Sequence, residues 1–116
     1  MIKKIGIIGA GTMGSGIAAA SAINGFETLL YDIYPEAVQK AVSGISKGFQ
    51  KLEEKGKIDA AKRKAAEGNI IQINDLAGLA ECDIIIEAAI ENIDLKKELY
   101  KKLDEITKPE AILARN

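Results

Sequence analysis

Three glycines near the start of the chain, Gly9, Gly11 and Gly14, match the spacing G-x-G-x-x-G. In this motif the first glycine allows a tight turn, the second lets a phosphate approach the backbone, and the third lets a helix pack closely on a sheet. The N-terminus of the following helix adds free N–H groups and a partial positive charge. The spacing therefore predicts a loop that binds the pyrophosphate of a dinucleotide.

The motif alone is weak evidence, because a similar fold can use such a loop only for packing. Here an apolar run over residues 5–8 precedes the glycines, and Asp32 ends the next run. Asp32 follows Gly14 by 18 residues (32 − 14), close to the ~20 expected for an acid that accepts hydrogen bonds from the adenosine ribose. A carboxylate there repels the 2′-phosphate of NADP, so we expect NAD.

Apolar runs alternate with helical patterns along the chain. The predicted helices span residues 12–24, a long segment from Pro35 that Gly56 interrupts, a segment from Asp59 to about residue 67, a turn at 75–80, and a helix marked by leucines near residues 95–106. This order predicts an α/β fold, a doubly wound parallel sheet of Rossmann type with a helical pair inserted between strands 2 and 3. The charges at 55–67 predict that this pair projects into solvent. The predicted strands are residues 4–8, 27–32, 70–73, 82–87 and 111–114.

Composition excludes several classes of function. The 16 basic and 17 acidic residues give a net charge of −1, which argues against nucleic acid as a partner. No apolar run approaches the ~20 residues of a membrane helix, so we expect no membrane association. One cysteine and no histidine leave no disulfide and no zinc or other metal site, which fits the reducing cytoplasm. Cys82 itself is expected to be a small buried hydrophobic residue.

Two blocks of the sequence resemble a known family. Residues 7–18 resemble the opening of the L-3-hydroxyacyl-CoA dehydrogenases, the family that includes the 3-hydroxybutyryl-CoA dehydrogenases, and residues 86–99 resemble a second and more specific block of it. The helical pair around residues 55–58 is similar to an insertion that separates this family from plainer Rossmann proteins. The likeness covers the whole chain.

The resemblance implies roles for individual residues. Lys55 matches a lysine that contacts the phosphates of CoA, whereas Gly48 stands where a serine that contacts CoA can occur. The cofactor residues comprise a pyrophosphate loop, a ribose acid and a nicotinamide group: Gly9, Gly11, Thr12, Met13 and Gly14; Asp32; Ala88, Glu91 and Lys96. The simpler alternative for Glu91, Lys96 and Lys55 is solvated surface charge.

The resemblance also implies a part that this chain does not contain. In the family, a catalytic histidine oriented by a glutamate removes the hydroxyl proton while hydride passes to NAD, and both residues lie beyond position 116. Arg115 stands where the family has a small hydroxyl residue. We therefore expect residues 1–116 to be an incomplete NAD-binding domain without the C-terminal helical domain, inactive alone in acyl-CoA oxidation.

Two other interpretations stay open at this stage. In the first interpretation, the chain is a non-catalytic nucleotide-binding or interaction module. It self-associates through an exposed sheet edge, since unpaired strand edges favour pairing with another chain. In the other, it is a fragment of a different NAD-dependent β-hydroxyacid dehydrogenase.

Overall fold

The computed structural model describes residues 2–88 and 93–115 of the chain. Five strands alternate with four α-helices and one short 3-10 helix. In chain order these are β1 Lys4–Ile8, α1 Thr12–Ile23, β2 Glu27–Tyr31, α2 Pro35–Glu54, α3 Ala60–Gly68, β3 Ile70–Gln72, the 3-10 helix Leu76–Leu79, β4 Ile84–Glu87, α4 Ile93–Ile106 and β5 Ile112–Arg115.

All five strands are parallel and lie in the order β3-β2-β1-β4-β5. The predicted Rossmann-type sheet is therefore confirmed, and so is the helical insertion between the second and third strands. β1 is central, with β2 on one side and β4 on the other. From β1 the strand order runs first to β2 and β3 on one side and then to β4 and β5 on the other. In open α/β sheets the ligand crevice forms where the strand order reverses in this way, outside the carboxyl ends of the strands.

Local signals in the sequence set the boundaries of several elements. Gly25 follows α1 with a φ of +91°, a conformation that suits glycine after a helix. Pro35 occupies the first turn of α2, where its missing N–H leaves no intrahelical bond unmade. The Asp59 side chain accepts a hydrogen bond from the Lys62 amide at 2.8 Å and caps α3. Most predicted boundaries are correct to within one or two residues.

Helices cover both faces of the sheet. On one face, α1, α2 and α3 pack over the strands through Ile7, Leu30, Val38 and Phe49. On the other face, α4 and the 3-10 helix cover Ile8 and Ile85, with Leu79, Leu99 and Leu103 as the main contacts. Both clusters contain fully buried large side chains, so the carboxyl edge of the sheet sits on a packed base.

The prediction that the helical pair projects into solvent is wrong for one face of α3. Ala66 is 2% exposed and belongs to the same core cluster as Ala22 and Phe49. The charges that suggested a solvated helix instead tie α3 to α2. Arg63 pairs with Glu53 and, at 3.2 Å, with Glu67. The number of charges did not predict this packing, because the small residues on the buried side of α3 have little effect on its overall composition.

At the amino edge of the sheet, the Asp83 side chain joins three segments. Its Oδ2 accepts hydrogen bonds from the Lys3 and Lys4 amides at 2.7 and 2.9 Å, and its Oδ1 pairs with Lys108. The hydrogen bond from Lys108, followed by those from Lys4 and Lys3, holds the pKa of Asp83 well below its usual range. This carboxylate connects β1, β4 and the segment that leads into β5.

Candidate cofactor-binding site

The three motif glycines have three different surroundings. Gly9 has a φ of +107° and its amide donates to the Tyr31 carbonyl at 2.8 Å, so the chain turns sharply as β1 ends. A Cβ added at Gly14 would lie 1.7 Å from the Gly9 carbonyl oxygen, whereas a Cβ at Gly11 would meet nothing within 4 Å. The absence of a side chain at Gly14 thus permits close packing, and at Gly11 it leaves open space beside the backbone.

The first turn of α1 completes this loop. Thr12 and Met13 begin the helix, and Met13 is 51% exposed. Ser15 anchors the turn, because its hydroxyl donates to the Ala10 carbonyl at 3.2 Å and its amide donates to the Gly11 carbonyl at 2.8 Å. The positive end of the α1 dipole therefore lies at the open side of Gly11, where a phosphate would be favoured.

Asp32 lies directly after β2 and is held against the glycine loop. Its Oδ2 accepts from the Ala10 amide at 2.8 Å and its Oδ1 accepts from the Tyr34 amide at 2.9 Å. A carboxylate offers about four acceptor positions, so these two bonds orient the group and leave capacity for hydroxyl donors. The side chain is only partly buried, which keeps that capacity accessible.

A cavity of about 300 Å³ opens beside Asp32. It lies between the segment after β2 and the first half of α4, and its walls are largely apolar. Burial, followed by the carboxylates of Asp75 and Asp32, raises the pKa of Tyr31, whose side chain lines this cavity. A flat apolar ring fits such a space. The lining residues are Ile8, Gly9, Tyr31, Asp32, Ile33, Tyr34, Leu76, Leu95, Glu98, Leu99 and Lys102.

A second, wider groove runs between α1 and α2, also bordered by Asp32 and Tyr34. Glycines on both helices keep it open, at Gly16 and Gly44. Lys40 is a cation among the residues that line it. The glycine loop therefore separates two concave surfaces that meet at Asp32.

The end of β4 lies next to the glycine loop. Ala88 is 3% exposed, and its amide donates to the Ile8 carbonyl at 2.9 Å. Glu87, the last residue of β4, is 1% exposed, and its Oε1 lies 3.0 Å from Lys96 Nζ on α4. Ala88 therefore lies beside the glycine loop, and Lys96 reaches the carboxyl end of β4 through its ion pair with Glu87. Glu91 lies outside the described residues.

Sequence reasoning missed Glu87 as a member of this site. The available signal was an acid that ends an apolar strand, the same pattern that singled out Asp32 at the end of β2. Its burial could not be inferred, because the partner Lys96 lies nine residues away on a different element.

Lys55 is remote from the other predicted site residues. It follows the last residue of α2, whose first residue lies three positions after Asp32. A helix of 20 residues spans about 30 Å at 1.5 Å per residue. The exposed Lys55 therefore cannot touch a ligand at Asp32 unless that ligand, or a second one, extends along the helix.

Cys82 lies away from the cavities and has the properties of a core residue. Cys82 is fully buried, and burial raises the pKa of its thiol to about 11. Within residues 2–88 and 93–115, no three His, Cys, Asp or Glu side chains cluster as a metal site would require. No helix over these same residues is both long and apolar enough to cross a membrane.

Comparison with known proteins decides the family. The model of the 3-hydroxyacyl-CoA dehydrogenase NAD-binding domain matches residues 4–116. The chain belongs to this family. Its cofactor is NAD, the ligand for which the domain is named.

Relatives and solved structures agree with this assignment. The chain is 42% identical over 113 residues to a probable 3-hydroxybutyryl-CoA dehydrogenase of Deinococcus radiodurans, covering 97% of this chain and 40% of that protein. A crystal structure of the Escherichia coli K12 3-hydroxybutyryl-CoA dehydrogenase superposes with a TM-score of 0.96 at 36% identity, covering 100% of this chain and 25% of that one. The (S)-3-hydroxybutyryl-CoA dehydrogenase of Ralstonia eutropha gives a TM-score of 0.92 at 40% identity, with coverages of 100% and 41%. The chain therefore spans less than half the length of each.

Proposed function

We propose that this chain supplies the NAD-binding part of an oxidoreductase that interconverts (S)-3-hydroxyacyl-CoA and 3-oxoacyl-CoA, in fatty-acid or butanoate metabolism. The observation that carries the proposal is the convergence of the glycine loop, Asp32 and the end of β4 at one crevice, in a chain of this family. The names of the relatives support the substrate class.

We assign the adenosine half of the cofactor to the β2 side of the crevice. The spare acceptor capacity of Asp32 suits the ribose hydroxyls, and the apolar cavity between Tyr34 and Leu95 suits the adenine ring. The negative charge of Asp32 opposes the 2′-phosphate of NADP. The two residues that follow it, Ile33 and Tyr34, supply no cation to hold that phosphate, so NAD is preferred.

We assign the pyrophosphate to the loop and the nicotinamide half to the β4 side. Gly9, Gly11 and Gly14, with Thr12 and Met13, present the open backbone and the positive end of α1 to the phosphates. Ala88, Glu91 and Lys96 then border the nicotinamide half. When bound, NAD accepts a hydride from the carbon that bears the substrate hydroxyl. The residues of this chain hold and orient the cofactor, and they include no histidine to act as the base.

We assign Lys55 to the phosphates of the acyl-CoA, on the resemblance alone. Its distance from Asp32 is compatible with a long substrate that extends along α2 while its acyl end reaches the crevice. Because this chain contains no histidine to act as the base, we expect purified residues 1–116 to bind NADH but to reduce acetoacetyl-CoA negligibly.

Titration calorimetry with NADH tests the cofactor assignment. Replacement of Asp32 by Asn keeps the shape but removes the charged acceptor, and bonds to charged groups contribute about 1.5–3 kcal/mol. We expect the NADH affinity to fall about tenfold or more on this basis. The matched control is Asp104→Asn, which makes the same change at an exposed position of α4 and should leave affinity unchanged. No heat from the unmodified chain at millimolar NADH would refute the proposal.

A second candidate role rests on the sheet edge. Ile112 of β5 is 52% exposed at the end of the strand order. A strand edge with an exposed apolar side chain favours pairing with another strand, so self-association of this chain is the alternative function of that edge. Sedimentation that shows a monomer at every concentration would rule it out. The single reduced cysteine supports a cytoplasmic location for either role.

A further inference from the structure

Glu87 is a buried acid for which the assignments above give no role. It is 1% exposed and ends β4 opposite Ile8 in the sheet register. Strand alternation puts it on the face of Ile85, which packs against Leu99 and Leu103 of α4. The carboxylate therefore lies beneath the helix that carries Lys96, whose Nζ is 3.0 Å away and whose side chain is 28% exposed.

A charge in this position is costly unless it is compensated. Removal of a carboxylate from water requires a partner charge or several hydrogen bonds. An apolar side chain would pack at the end of β4 with less difficulty, as Ile85 does two residues earlier. The presence of an acid there indicates that the charge of Glu87 has a use at the crevice.

The position of the pair relative to the cofactor follows from the topology. A dinucleotide crosses the crevice between β1 and β4, where the strand order reverses. With Asp32 as the proposed ribose acid on the β2 side, the nicotinamide half would lie toward the end of β4, where Glu87 and Lys96 pair.

On the basis of the proposed cofactor site, we propose that Glu87 is a positioning residue that holds Lys96 and offsets its charge, and so sets the preference of the site between NAD⁺ and NADH. The nicotinamide ring carries a positive charge when oxidised and none when reduced. An uncompensated ammonium group beside the ring opposes NAD⁺ and leaves NADH almost unaffected. The carboxylate of Glu87 cancels this bias.

The ratio of the two dissociation constants, Kd for NAD⁺ over Kd for NADH, measures this effect in the 116-residue chain. Glu87→Gln keeps the shape and removes the negative charge, so the ratio should rise on the order of fourfold, as for a unit charge ~10 Å from the ring at an effective dielectric constant of ~40. Lys96→Met removes the positive charge and should lower the ratio by a similar factor. The double variant should return the ratio to that of the unmodified chain.

Glu105→Gln provides the matched control, since it makes the same charge change at an exposed position near the end of α4 and should leave the ratio unchanged. If Glu87 were only structural, its replacement would weaken both ligands by one factor, and a constant ratio would overturn the inference. Shifts of the same sign in both single variants would also overturn it. If circular dichroism shows that one single variant does not fold, the ratios of dissociation constants for the other single variant and the double variant test the inference in the same way.

The outcomes also separate this inference from the proposed function. If the unmodified chain binds NADH and Glu87→Gln leaves the ratio of the two dissociation constants unchanged, only the role of Glu87 is refuted. Failure of the unmodified chain to bind either form refutes the cofactor site and this inference together.

Discussion

Asp32 and Asp83 hold similar positions at opposite edges of one sheet, yet their surroundings differ in one respect. Each carboxylate accepts two backbone hydrogen bonds, from Ala10 and Tyr34 in one case and from Lys3 and Lys4 in the other. Asp83 also pairs with Lys108.

We interpret the difference as that between a structural acid, Asp83, and the proposed binding acid, Asp32. At the amino edge, a cation of the chain itself neutralises the carboxylate and joins distant segments. At the carboxyl edge, the backbone bonds only aim the carboxylate, and an open cavity lies beside it. Glu87 falls between the two, because a cation pairs with it but it ends β4 at the carboxyl edge of the sheet.

The largest effect expected at the carboxyl edge is that of Gly14→Ala. Its methyl group would lie 1.7 Å from the Gly9 carbonyl oxygen, so α1 and the loop must move apart, and we expect a loss of about 3 kcal/mol or more in the free energy of unfolding. Urea denaturation measures this loss. Gly16→Ala is the matched control on the same helix. Nothing lies within 4 Å of its added methyl group, and it should gain up to about 1 kcal/mol in stability. Equal stabilities for the two variants would contradict the packing role of Gly14.

A smaller effect is expected at the amino edge, with a characteristic pH dependence. Because the pKa of Asp83 is lower in the folded chain than in the unfolded chain, its stabilisation is complete above the unfolded value of about 3.9. That stabilisation is lost as the pH falls through the folded pKa. We expect Asp83→Asn to be less stable at pH 7 and to lose less stability than the unmodified chain on acidification below about pH 4.

Thermal unfolding between pH 2 and pH 7 measures this difference, with Asp104→Asn as the exposed control. The NADH affinity of folded Asp83→Asn should equal that of the unmodified chain. A loss of affinity at neutral pH without a loss of stability would remove the distinction between the two edges.

The same contrast shows what the sequence could predict. Asp32 was identified because its spacing from Gly14 reflects the length of one β-α-β unit, and the strands were identified because buried parallel strands are apolar runs. The contacts of Asp83 were not predicted, since they join residues about 80 positions apart in the chain. The burial of Ala66 in the core cluster and the pairing of Glu87 with Lys96 on α4 were also missed. Each depends on which elements become neighbours, and local pattern does not encode that.

An NMR titration of the isotopically labelled 116-residue chain with NADH compares the two edges of the sheet in one experiment, because it monitors the amides of both. We expect the amide signals of Gly9, Gly11, Tyr34 and Ala88 to shift with NADH and those of Lys3 and Lys4 to stay in place. Shifts confined to the amino edge, or no shifts at millimolar NADH, would refute a cofactor site at the carboxyl edge.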